Sequence, residues 1–290
     1  PNNPKKATLD SQLSKTSKIV NTLPAPVWLG SNSWVVNSTK SATGSVIFAN
    51  DPHMQFSQPG VWYEAHVVTP TWERYGYHAA LIPFALLLHN RDYAIGLTMF
   101  LNDDVDFYYR AEVTHTLQET ISIKGGNSLE VEVQESDHGP IMNDVLGSLK
   151  DQPVAMWWAY LQTELESMQA LYHLNHAKSI DDARLGASKI KAPGLNVMYG
   201  DAKGNIAWWA SAQLYLMDST VNRRMILDAH DSMTNTLKWL PFSENPQSEN
   251  PPWNYVYSTN NQPDTISSGL YPGYYVPEDR AVRLVNLMES

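Results

Sequence analysis

The order of patterns along this chain predicts an α+β fold, with strands and helices segregated in blocks rather than alternating. Three observations carry that reading. Short runs rich in β-branched and aromatic residues, bounded by Gly, Asn, Asp and Pro, fill the first half of the sequence. Apolar residues at three- and four-residue spacing begin only near Trp157. A strand–turn–strand pattern then returns between Asn196 and Ala210.

Residues 1–30 are polar, Lys-rich and Pro-bounded, and read as a spacer ahead of a body that starts at 31. Strands are expected at Ser33–Val36, Ser45–Ala49, Val61–Val68 and Tyr93–Thr98. Glu112–Gln134 is expected to continue the same large sheet, as two alternating runs turning at Gly125-Gly126-Asn127. A helix is expected over Trp157–Ala177, and Ser179 is an N-cap for a shorter one. Asn196–Tyr199 and Ile206–Ala210 form a hairpin around Gly200–Asn205. Residues 241–273, rich in Pro, Asn and Ser, read as loop, and a last helix starts near Pro277 and is cut off at Ser290, as in a truncated chain.

Composition removes several function classes. With 43% hydrophobic and 17% charged residues in 290, the chain is globular rather than disordered or fibrous. A net charge of −10 lacks the basic footprint of a nucleic-acid or anionic-membrane binder, so neither partner is expected. No apolar run reaches the ~18–20 residues of a membrane-spanning helix. Cysteine is absent, which excludes a thiol nucleophile and Cys-ligated zinc. There is no GxGxxG, GxxxxGK[ST], HExxH, GxSxG or EF-hand loop, and no organic cofactor is expected.

What remains is the junction Gly30-Ser31-Asn32-Ser33-Trp34, where a polar spacer meets the first strand. Cleavage between Gly30 and Ser31 would leave one serine with both a hydroxyl and a free α-amine. An α-amine titrates at ~7.7–8.0, near enough to neutrality to accept the hydroxyl proton. Read as residues alone, a serine between Gly and Asn is in most cases ordinary turn chemistry.

From Ser31, the run SNSWVVNSTKSATGSVIFANDPHMQFSQPGVWYEAHV resembles the start of the catalytic chain of the penicillin acylase family of N-terminal-nucleophile hydrolases, which includes acyl-homoserine-lactone acylases. His89-Asn90, Gly96-Leu97-Thr98, Asp103 and Asp106, His138-Gly139-Pro140, the Asn196–Asn205 hairpin, Asn260-Asn261 and Arg280 follow in the family's order. The resemblance implies a four-layer αββα sandwich, incomplete in this chain, made from a zymogen precursor cut at Gly30-Ser31 into a lighter and a heavier chain. It implies an amide hydrolase that removes the acyl group of a penicillin or an N-acyl-homoserine lactone through an acyl-serine, with antibiotic or quorum-sensing substrates and a periplasmic location. The expected partners are a small N-acyl amide and the lighter chain of the same precursor.

Carried over by position, Ser31 is the nucleophile and its freed amine the base; His53 helps hold that amine through its backbone. The Phe100 backbone N–H and the Asn260 side chain are the oxyanion donors, and Arg280 supports Asn260. Asp103, the Val105 carbonyl and Asp106 match ligands of one structural calcium ion, although 265–276 lacks the further acid that some relatives supply. Two other readings stay open: an uncut precursor fragment or non-catalytic homologue, and a β-rich carbohydrate-binding module. The latter uses Trp157-Trp158 and Trp208-Trp209 as platforms, with Glu130 and Asp137 as paired acids.

Overall fold

The structure is a computed structural model that describes residues 30–54, 57–145, 152–263 and 271–290. The expected spacer over 1–29 lies outside the described residues. In chain order the strands are β1 (Gly30–Val36), β2 (Ile47–His53), β3 (Trp62–Val68), β4 (Glu73–Ala79), β5 (Leu87–His89), β6 (Tyr93–Met99), β7 (Val105–Tyr109), β8 (His115–Ile121) and β9 (Leu129–Ser136). They continue as β10 (Gly139–Pro140), β11 (Val154–Trp158), β12 (Leu195–Asp201), β13 (Ile206–Ser211), β14 (Tyr215–Leu216), β15 (Leu227–Asp228), β16 (Lys238–Trp239), β17 (Gln247–Glu249) and β18 (Tyr255–Ser258). The helices are α1 (Ala159–Gln162), α2 (Ser167–Asn175), α3 (Ile180–Ser188) and α4 (Asp279–Glu289). None of the described helices is long and apolar enough to cross a membrane.

The chain divides into two compact units. The larger takes in residues 30–103, 163–214 and 240–290. Its main sheet runs β17-β13-β12-β6-β5-β4-β3, antiparallel throughout, and a second sheet runs β18-β1-β2. Val35 and Val256 of the second sheet pack on Met198 and Ile206 of the first, closing a dry layer between the sheets. On the other face of the main sheet, Leu174, Ala183 and Ala187 of α2 and α3 cover Tyr199 and Trp209. Truncating a fully buried side chain such as Leu174 to Ala costs about 2–5 kcal/mol.

The fourth layer is started by α4. Because Val256 faces the inter-sheet core, strand alternation turns Tyr255 to the outer face. There burial, followed by the nearby Glu289 at the end of α4, pushes the Tyr255 hydroxyl up to about 12. The α+β class and the αββα order are thus both present. Ser179 caps α3 as expected, its Oγ accepting from the Asp182 N–H at 3.2 Å.

Within the larger unit, the buried indole N–H of Trp209 and the Arg184 guanidinium both donate to Glu249, at 2.7 and 2.5–2.6 Å. Burial pushes the Glu249 carboxyl up, but these donors outweigh it and hold the group below its ordinary range.

The smaller unit holds residues 104–162 and 215–239. It contains a β11-β7-β15 sheet, the β14-β16 pair and a β10-β9-β8 ribbon. Tyr108, Trp157 and Tyr215 form its core.

Three sequence expectations change. The 112–134 hairpin forms, but as a separate ribbon whose β8 is exposed along its whole length, not as part of the main sheet. The expected helix over Trp157–Ala177 begins as strand, because Trp157 and Trp158 pair with Asp106 and Val105, and it resumes as α1 and α2. The loop expected at 241–273 contains β17 and β18, the latter pairing with β1 over Ser33–Val36.

Candidate active site

The β1-β2 ladder sets Gly30 opposite His53 and Ser31 opposite Pro52, so the junction enters the larger unit as paired strand. Pro52 has no N–H to donate, which suits a position facing the first residues of a ladder. Asn50 ties this edge to the main sheet: its Nδ2 donates to the carbonyls of Asn32 (2.9 Å) and Leu97 (3.0 Å), and its Oδ1 accepts from the Leu97 N–H (3.0 Å). The approach requires Gly96, where a Cβ would stand 2.8 Å from both Asn50 Oδ1 and the Phe48 ring.

Ser31 is fully buried. Its N–H donates to Asn260 Oδ1 at 2.6 Å, and its carbonyl accepts from Arg280 Nη1 at 2.9 Å. Its Oγ, by contrast, has no hydrogen-bond partner among the described residues. A buried hydroxyl without a partner is costly, and a catalytic role is one of the explanations such an atom admits.

The residue before it is constrained as tightly. Gly30 sits at φ +154°, and a Cβ there would lie 3.3 Å from Arg280 Nη2, 3.4 Å from His53 Nδ1 and 3.6 Å from Asn260 Oδ1. Both the backbone angle and the space therefore select glycine.

Asn260 follows the end of β18 at φ +63°, a left-handed conformation that asparagine tolerates. Arg280, in the first turn of α4, fixes it: Nη2 donates to the Thr259 carbonyl (2.6 Å) and to Asn260 Oδ1 (3.2 Å), and Nη1 also reaches Asn32 Oδ1 (2.5 Å). One Asn260 Nδ2 hydrogen is donated to the Met99 carbonyl at 3.0 Å. Behind it, buried Asn196 donates to Thr98 Oγ1, Met99 O and Ser258 Oγ, and accepts from the Trp208 indole. His53 is part-exposed; its Nε2 meets Asp51 Oδ2 at 3.1 Å and Asn32 Nδ2 at 3.3 Å.

Gly30, Ser31, His53, Asn260 and Arg280 thus converge. Phe100 does not contribute as expected, because its N–H donates to the Gly194 carbonyl at 3.1 Å, continuing the ladder toward β12. In a strand successive N–H groups alternate sides. The Met99 N–H therefore faces away from β12, toward the edge where Asn50 meets Leu97 and Asn32. Its carbonyl already holds Asn260, so Met99 rather than Phe100 presents the peptide next to the site. Strand parity at β6 is the signal that would have found it.

The expected calcium ligands divide between the two units, Asp103 in the larger and Val105 and Asp106 in the smaller. Asp106 is 2% exposed, and its Oδ2 accepts from the Tyr215 hydroxyl at 2.7 Å. The Arg223 guanidinium stands 3.5 Å from the same oxygen. A fixed positive charge at that distance opposes a divalent ion; of the two Asp106 oxygens, Oδ1 alone lacks a hydrogen-bond partner among the described residues, and calcium takes 6–8 oxygens. Among the described residues no group of three or more His, Cys, Asp or Glu side chains is arranged to hold a metal.

The tryptophan platforms are absent as well. Trp157 and Trp209 are buried, and the Trp208 and Trp209 indoles donate inward to Asn196 and Glu249. Glu130 lies on the exposed ribbon, accepting from Thr120.

The chain is similar to known proteins in sequence and in fold. The acyl-homoserine lactone acylase QuiP of Pseudomonas aeruginosa is 30% identical over 203 residues, covering 61% of this chain and 24% of its own. The penicillin acylase 2 proenzyme of Pseudomonas sp. (strain SE83) is 24% identical over 267 residues, covering 84% and 34%. The chain thus spans about a quarter to a third of these curated relatives. In fold, the thermostable penicillin G acylase from Alcaligenes faecalis is similar with a TM-score of 0.75 at 21% identity, over 89% of this chain and 49% of that one. The family model described as Penicillin amidase matches residues 3–290, and the chain belongs to the penicillin amidase family.

Proposed function

We propose that this chain carries the nucleophilic centre of an amide hydrolase that removes the acyl group of an N-acyl amine, and that cleavage at Gly30-Ser31 activates it. The carrying observation is Ser31, whose nitrogen and carbonyl are both gripped while its buried Oγ has no hydrogen-bond partner among the described residues. In maturation, Oγ attacks the Gly30 carbonyl carbon, the Gly30–Ser31 C–N bond breaks with the proton delivered to nitrogen, and water hydrolyses the resulting ester. The freed amine keeps Asn260 Oδ1 as its acceptor.

In turnover, Ser31 Oγ bonds to the substrate carbonyl carbon while its α-amine takes the hydroxyl proton. The oxyanion is met by the second Nδ2 hydrogen of Asn260 and the Met99 N–H, donors of a kind worth about 3 kcal/mol each. Collapse breaks the C–N bond, the amine leaves with the proton, and water releases the acid from the acyl-serine. Arg280 carries no proton in this scheme; it positions Asn260 and the Ser31 carbonyl.

The names of the relatives point to N-acyl-homoserine lactones and penicillins as the substrates to try first. The remainder of the protein includes the lighter chain of the same precursor, and the mature enzyme works in the periplasm. The test is acid release from a series of both substrates by the full-length protein and by Ser31→Ala. Activity should rise with pH to a plateau above about 8, as the amine loses its proton. Hydrolysis by Ser31→Ala at the wild-type rate would overturn the assignment.

A further inference from the structure

We propose that Arg223 is a built-in counter-cation for Asp106, standing where this chain's acidic motif leads one to expect a divalent ion, so that the smaller unit is held without metal. Asp106 lies in the middle of the β11-β7-β15 sheet, opposite Trp157, with its side chain fully buried. A carboxylate taken out of water needs a positive partner or a full set of donors.

A positive partner and one donor come from a single short stretch that begins with β14. The Tyr215 hydroxyl donates to Asp106 Oδ2 at 2.7 Å, and the Arg223 guanidinium donates in turn to that hydroxyl oxygen. The same guanidinium lies 4.1 Å over the Tyr215 ring and 3.5 Å from Oδ2, with its side chain 9% exposed. Tyr215 is itself locked between Trp157 and Trp239, with ring centroids at 4.6 and 5.5 Å. The arginine is thus buried, stacked and aimed. A planar guanidinium stacks on an aromatic face more readily than the strongly hydrated ammonium of lysine does.

The assignment is independent of the hydrolase reading, because none of these residues belongs to the Ser31 site. The test is thermal unfolding of the full-length protein with excess EDTA and with millimolar calcium, alongside equilibrium dialysis against radioactive calcium alone. The expected result is no bound calcium and an unchanged Tm. Arg223→Gln leaves a buried carboxylate uncompensated and should lower Tm by about 5–10 °C. The double variant Asp106→Asn/Arg223→Gln, with both charges gone, should recover more than half of that loss. Stoichiometric calcium binding with a rise in wild-type Tm would overturn the proposal, as would an Arg223→Gln protein as stable as wild type. If Arg223→Gln yields no folded protein, the wild-type calcium measurements and the double variant still decide.

Discussion

Two buried polar clusters in this chain treat their reactive atoms in opposite ways. At the strand junction of the larger unit, the neighbours of Ser31 are tied together by Asn260, Arg280, Asn50 and Asn196, yet the Ser31 hydroxyl has no partner among the described residues. In the smaller unit, the buried Asp106 carboxylate is met by a hydroxyl and a guanidinium on the same oxygen. The first cluster grips the backbone around a hydroxyl; the second sets a counter-charge beside a buried carboxylate. Burial alone does not separate these roles. What separates them is the partner beside the group: Asp106 has a counter-charge 3.5 Å from Oδ2, even though its Oδ1 lacks a hydrogen-bond partner among the described residues, whereas around Ser31 only the backbone is gripped.

Ser31→Ala breaks the comparison most sharply. Because Oγ makes no hydrogen bond among the described residues, its removal should leave stability within about 0.5 kcal/mol of wild type while both chain cleavage and turnover disappear. A stability loss of several kcal/mol would make the serine structural. Asn260→Ala should next lower kcat by about 100- to 1000-fold in material that has been cleaved, as measured by acid release. Equal effects on kcat and on Tm would count against an oxyanion role.

Gly30→Ala sharpens the same point in time. A Cβ at φ +154° meets Arg280, His53 and Asn260, and left-handed backbone costs about 1–2 kcal/mol, so cleavage should slow about tenfold by pulse-chase. The mature enzyme, which has lost Gly30, should keep its kcat.

Smaller still is the ion pair in the larger unit. With its pKa held below the ordinary 4.5, Glu249 contributes fully above that pH and loses its contribution as the pH falls through the lowered value. Glu249→Gln should therefore cost about 1 kcal/mol at pH 7, read by urea unfolding, and the gap from wild type should narrow toward pH 3. Ile121→Thr on the exposed ribbon should change stability by less than about 0.5 kcal/mol, since Ile121 is 51% exposed.

Much of this was legible from residue patterns, and the misses have local causes. The strands at Ser33, Ser45, Val61 and Tyr93, the Asn196–Ala210 hairpin, the Ser179 cap and the last helix are all formed, because each pattern carries its own turn or cap. Trp157-Trp158 was misplaced in a helix: its apolar spacing fits both periods, and only pairing with β7 decides between them. Likewise β18 was hidden in a Pro- and Asn-rich stretch, since its four residues are held by β1, which lies more than 200 residues away in sequence.

The site shows the same division. Gly30, Ser31, His53, Asn260 and Arg280 were found in sequence and meet in space. Phe100 was off by one residue, because motif order cannot assign strand parity, and the hydrogen bond to Gly194 does. Arg223 was invisible beforehand: nothing in its neighbourhood marks it until the fold brings it over Tyr215 and beside Asp106.

The most direct test of the account is the N-terminus and intact mass of the protein purified after expression of its full-length gene. A chain beginning Ser-Asn-Ser-Trp at Ser31 is the predicted result, with the Ser31→Ala protein left uncut. A wild-type chain that runs intact through Gly30-Ser31 while the protein still hydrolyses acyl amides would contradict it, because an amide nitrogen cannot act as the base.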